Sequence, residues 1–254
     1  MTAGTADASG TAGTTGMPDA PVTRTRWARY VRLIASAFPP IDLFEDIADP
    51  ADWDLLELAT ERTNARSAET VGKLDLVPPA RRVGGPGASY VMAPFVHVSP
   101  DHSGRFHDGT FGAFYAADAL ETAVAEKAFH AARFAGATRQ APGWLADWRE
   151  LVGTLDADLA DVRGDGFGAL LHPDPARYGA AQAFARTVRA AGHAGIVYPS
   201  VRQPDGECFA AFWPDVPSVP TVGRHFTYHW DGARVDLIRE ATPGGPGQTY
   251  RLVE

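Results

Sequence analysis

From Thr110 to its C-terminus the chain is cut into short apolar runs, rich in aromatic and β-branched residues and bounded by Gly, Pro or Asp. This punctuation constrains the fold more than any other feature, because runs of about four to eight residues between turn signals are the unit of a sheet rich in short strands. Thr110–Ala116, Trp148–Leu155, Ile196–Tyr198, Cys208–Trp213, Phe226–Trp230 and Val235–Ile238 are the expected strands, and Tyr90–Val98 joins them on the same composition. Two stretches carry helical signals instead. Asp118 reads as an N-cap with Glu121 at the third helical position, opening a helix through Val124 and Phe129 to about Phe134. Ala176–Ala191 forms a second, ended by Gly192. Many short strands with few helices predict an α+β fold, a mixed sheet with flanking helices.

Upstream the pattern changes. Residues 1–22 hold Thr, Ala, Gly and Asp with almost no large apolar side chain, so they are expected to be a disordered tail, with Met17 as an alternative start. Residues 23–89 are expected to be a mostly helical lead-in. It opens extended over Arg24–Ser36 and stays so at Pro39-Pro40 before Ile41, Leu43 and Phe44. Asp49, Pro50 and Asp52 then read as cap, first-turn proline and dipole-matched acid of a helix through Leu55, Leu56, Leu58 and Ala59. Pro78–Ser89, rich in Pro, Gly and Arg, is expected to be the loop before a main body over 90–254.

The composition narrows the function. Of 254 residues 45% are hydrophobic and 21% charged, a balance that can bury a core. A formal charge of −8 opposes binding to nucleic acid or anionic membranes. Cys208 is the lone cysteine, so neither an intrachain disulfide nor a cysteine-based zinc site is available, and a reducing cytoplasm is the expected compartment. No signal-peptide pattern and no apolar run of membrane-spanning length is visible. Gly164, Gly166 and Ala169 meet the letter of a dinucleotide fingerprint, but Pro173 and Pro175 forbid the helix it needs. Walker, zincin and Gly-x-Ser-x-Gly patterns are missing, and His97, His102, His107, His130 and His172 match no metal-ligand spacing. No metal site is expected.

Three segments together resemble the RES-domain family. They are Arg32 within Tyr-Val-Arg-Leu-Ile, the stretch RFHDGTFGAFYAADALETAVAEKAFH over 105–130, and GIVYPSVRQPDGECFAAFWP from Gly195 onward. Two departures stand out: Phe106 where the family usually has tryptophan, and a longer stretch from Ala48 to Pro86. The resemblance implies a single catalytic domain with a fold like that of ADP-ribosyltransferase toxins. It implies cleavage of the nicotinamide–ribose bond of NAD by water or by inorganic phosphate as co-substrate, with no bound cofactor. It also implies a cognate Xre-like antitoxin and a homodimer, and Arg32 of the lead-in would contribute to the site.

In that reading Glu126 stabilises the positive charge developing on ribose, and Arg32 and Arg105 grip the phosphates through paired guanidinium donors. Tyr115 stacks on nicotinamide or adenine, and Ser200 bonds the carboxamide or orients Glu126. Arg202 and His130 are further substrate-binding candidates, His130 by bonding Glu126 one turn away. Without the resemblance the ordinary readings prevail: an exposed helical glutamate, surface or ion-paired arginines, a core tyrosine, a turn serine bonded to its own backbone and a structural histidine. Two other functions share these residues, ADP-ribosyl transfer to a protein target and a non-catalytic nucleotide-binding module.

Overall fold

The computed structural model describes residues 19–35, 53, 72–242 and 245–252. Its frame is one eight-stranded mixed sheet in the order β1-β2-β5-β4-β3-β6-β7-β8. Strand β1 (Val22–Ala35) lies antiparallel to β3 (Gly143–Asp161), with Val22 opposite Ala160 and Ala35 opposite Trp148, and meets β2 (Phe114–Ala117) where Val31 faces Ala117. β2 pairs with β5 (Glu207–Ala211) and β5 with β4 (Gly195–Pro199), both antiparallel; β4 returns to β3 in parallel at Ala160–Ile196. These five strands close a circuit of pairings. Strands β6 (Thr221–Trp230), β7 (Val235–Thr242) and β8 (Gly245–Arg251) continue from β3 as an antiparallel meander.

Among the described residues three α-helices of several turns flank the sheet: α1 (Ala88–Val96), α2 (Leu120–Ala137) and α3 (Gly179–Ala190). One core cluster joins α1 to Tyr30, Phe114, Leu155, Leu159 and Phe209, whose rings meet edge to face where Tyr30 touches Phe114 and Phe209. The other joins α2 and α3 to Val31, Phe106, Trp148, Ile196, Tyr198 and Phe212. No helix among the described residues is long and apolar enough to cross a membrane.

Several expectations are corrected. Of the strand expected over Tyr90–Val98, Tyr90–Val96 is helical, because Ala88, Val91, Met92, Phe95 and Val96 repeat at three- and four-residue spacing and all are buried. Strand β2 begins only at Phe114: the preceding turn presses Gly112 so closely on α1 that a Cβ there would meet the Pro94 carbonyl oxygen at 1.9 Å. The box expected of Asp118 and Glu121 is not formed. Ala119 is the N-cap, since the Asp118 N–H is still tied to the Glu207 carbonyl at the end of the sheet ladder. The end of the tail expected over 1–22 is held by the sheet instead: the Pro21 carbonyl accepts from Asp161 N and Val22 opens β1. The extended entry expected from Arg24 is a long strand over Val22–Ala35, whose β-branched and aromatic side chains are served by pairing along β3. The helix expected through Leu55–Ala59 and residues 1–18 lie outside the described residues.

Candidate active site

A cavity of about 290 Å³ opens where β1 and β2 meet the face of α2 that carries Ala123, Glu126, Lys127 and His130 and the turn over 103–107. Tyr198 of β4 and Cys208 of β5 form its buried floor, and burial pushes both their pKa values well up, so phenol and thiol stay neutral. Arg32, Arg105, Tyr115, Glu126 and His130, five of the seven residues singled out in the sequence, line this cavity.

Glu126 is fixed from behind by Ser200. Strand β4 stops at Pro199, and the Ser200 N–H donates to the Gly206 carbonyl at 2.8 Å, closing a tight turn. The Ser200 hydroxyl accepts from the backbone N–H groups of Arg202 and Gln203, each at 3.1 Å, and donates to Glu126 Oε1 at 2.7 Å. Both lone pairs of the hydroxyl are occupied, so its proton has one direction left, toward the carboxylate. Ser200 thus does both things a turn serine was expected to do, bonding its backbone and orienting Glu126.

Arg32 donates to the Tyr115 carbonyl at 2.7 Å and lies 4.6 Å over the Phe114 ring, while its Nε is buried without a hydrogen-bond partner. Burial lowers its pKa to about 10, which leaves it charged at neutral pH. The Tyr115 hydroxyl accepts from Phe106 N at 2.9 Å and meets His107 Nδ1 at 2.9 Å. His107 Nε2 faces the His102 carbonyl at 2.9 Å, an acceptor only, so the proton sits on Nε2 and the tyrosine donates to Nδ1. With its proton given to His107, the Tyr115 hydroxyl has no hydrogen left to donate to a ligand, which meets the ring and at most an acceptor oxygen.

Arg105 lines the cavity with part of its guanidinium already engaged by the protein. Only 6% exposed, it donates from Nη1 to the carbonyls of Leu170 and His172 at 3.0 and 2.9 Å and from Nη2 to the Tyr178 hydroxyl at 3.2 Å, with its guanidinium 4.4 Å over that ring. These contacts clamp the 168–178 segment to the site and consume most of its donors. Arg202 is not brought to the cavity: it stacks 3.4 Å over Phe129 and donates to the Pro173 carbonyl. His130 lines the cavity but makes no hydrogen bond to Glu126 among the described residues, because that carboxylate is turned toward Ser200; its ring meets the edge of Phe129.

Sequence reasoning missed Lys127, His107 and Tyr178. Lys127 was legible, since Ala123, Lys127 and His130 share one helical face at spacings of four and three. His107 and Tyr178 were not, because only folding brings them beside Tyr115 and Arg105.

A larger cavity of about 840 Å³ lies on the other side of α2 and includes neither Glu126 nor Arg32. Its arginines are largely committed elsewhere: Arg29 and Arg224 hold the buried Glu150 at 2.7 and 2.9 Å, and Arg234 pairs with Asp231. Among the described residues no group of three or more His, Cys, Asp or Glu side chains is placed to hold a metal.

A sequence model of the RES domain matches residues 79–231. The chain is 27% identical over 212 residues to an uncharacterised protein, y4oC, of Sinorhizobium fredii (strain NBRC 101917 / NGR234), covering 82% of this chain and 86% of that one. It also aligns with a chain of the M. tuberculosis MbcT–MbcA toxin–antitoxin complex at 12% identity and a TM-score of 0.40, covering 84% of this chain and 88% of the other.

Proposed function

The chain belongs to the RES-domain family, and on that premise we propose that it cleaves the nicotinamide–ribose bond of NAD, as the toxin of a toxin–antitoxin pair. The observation that carries the proposal is the Glu126 carboxylate, held at 2.7 Å by a serine whose own geometry is fixed, in a cavity that also presents the Arg32 cation.

In NAD the glycosidic nitrogen is a pyridinium. When the C–N bond breaks, its electron pair neutralises that nitrogen and nicotinamide leaves uncharged, so no protein acid is needed at the leaving group. The positive charge passes to the ribose, and a preoriented carboxylate is the group that stabilises it. Glu126 fills this role, Ser200 keeps it oriented without solvent reorganisation, and Tyr115 supplies an aromatic face. Water or phosphate then completes the reaction at the sugar.

Loss of NAD would harm the producing cell, which calls for a partner that closes the cavity; an Xre-like antitoxin in the cytoplasm and a homodimeric enzyme fit the family. The test is nicotinamide release from NAD by the purified chain, with and without phosphate. Glu126→Ala is expected to lose roughly two to three orders of magnitude in rate. Equal release by wild type and variant, or no release from folded protein, rejects the proposal.

A further inference from the structure

We infer that Lys127 is the uncommitted cation of the cavity and that with Arg32 it binds a phosphoryl group, the diphosphate of a dinucleotide or a free phosphate. The inference rests on the reading above only for naming the dinucleotide. Its own basis is a juxtaposition of charge. Lys127 lines the same cavity as Arg32, partly buried, and makes no ion pair or hydrogen bond among the described residues. Arg32 offers a buried Nε with no partner. The carboxylate beside them, Glu126, is turned to Ser200.

Two cations held together in a partly desolvated pocket repel one another, and each loses hydration. Burial lowers the Lys127 pKa, and the Arg32 guanidinium lowers it further. A side chain placed where it weakens the fold is expected to serve a ligand. The ligand that relieves both costs is an anion able to accept several donors at once, which a phosphoryl group does: a guanidinium N–H and an ammonium, from β1 and from α2, can reach different oxygens of one group. Arg105 lines the same cavity but already spends three of its five N–H donors on the Leu170 and His172 carbonyls and the Tyr178 hydroxyl, whereas the Lys127 ammonium spends none among the described residues. The spacing that sets Lys127 beside His130 and above Ala123 places it at the wall, clear of the Glu126 and Ser200 contact.

The experiment is calorimetric titration of the full chain with ADP and, separately, with inorganic phosphate, for wild type, Lys127→Met and Lys127→Arg, with melting temperatures recorded alongside. Lys127→Met should bind tenfold or more weakly and melt at or above the wild-type temperature, since it keeps the apolar stem and removes a desolvated charge. Lys127→Arg should recover most of the affinity. A loss confined to ADP names the diphosphate as the ligand; a loss confined to phosphate names the free anion. Wild-type affinity in Lys127→Met, or no binding of either probe by wild type, overturns the inference. Nicotinamide release by wild type tells the two readings apart. Release together with Lys127-independent binding sinks this inference and leaves the NAD reading standing, whereas Lys127-dependent binding without release does the reverse.

Discussion

Replacing Arg105 with alanine removes a guanidinium that is 6% exposed and donates to two backbone carbonyls and a tyrosine hydroxyl at 2.9–3.2 Å. Each bond to a charged donor contributes roughly 1.5–3 kcal/mol, and a buried carbonyl left unpaired costs about 1–3 kcal/mol. The stacking over Tyr178 at 4.4 Å adds on the order of 1 kcal/mol. Against these stands the relief of no longer desolvating a cation, and the terms do not add, so the net loss is expected near 3 kcal/mol. For a chain of this size that corresponds to a fall in melting temperature of about 6–12 °C. Urea denaturation followed by tryptophan fluorescence reads the same quantity as a lower midpoint at unchanged slope. Arg105→Lys should recover only part of it, because one ammonium cannot reach three acceptors held on two sides. A variant that melts with the wild type yet loses affinity for ADP would refute the clamp and return Arg105 to the ligand.

Ser200→Ala frees the Glu126 carboxylate and unpairs two turn N–H groups; nicotinamide release should fall by about tenfold to a hundredfold, the worth of one charge-assisted bond, with little change in KM for NAD. His107 is neutral in the fold, its pKa pushed below the usual value by desolvation, so the unfolded chain takes up the proton first as pH falls. Stability should therefore be complete above about pH 6.5 and decline below it, and thermal melts of His107→Gln from pH 7 to 5 should show a shallower decline than those of wild type. Gly112→Ala forces a Cβ into the Pro94 carbonyl and should lower the melting temperature sharply, whereas Gly136→Ala, where the added methyl meets nothing within 4 Å, should be neutral or stabilising. Glu150, 2% exposed, accepts from Arg29 and Arg224; Glu150→Ala should destabilise by about 2–4 kcal/mol in urea unfolding, the lower part of the range because both arginines can turn to solvent.

The α+β class, six of the strands and the two longer helices were legible, because each rests on a local period: turn residues bounding short β-branched runs, and three- or four-residue spacing between caps. Where two local signals conflicted, tertiary packing chose between them. Tyr90–Val98 has strand-like composition and helix-like spacing, and burial of Ala88, Val91, Met92, Phe95 and Val96 on one face settled Tyr90–Val96 as helical. Asp118 looked like a cap but was retained by the sheet ladder through Glu207.

At the site, the sequence by itself determined the residue types and, through the family pattern, that Glu126, Ser200, Arg32 and Tyr115 belong together. It did not determine which donors remain open to a ligand. That depends on partners far apart along the chain: Leu170, His172 and Tyr178 occupy Arg105, while nothing described pairs with Arg32 Nε or Lys127. Hydrogen-bond capacity is a property of chemistry and can be read residue by residue; its allocation is a property of three-dimensional packing, and only the folded chain decides it.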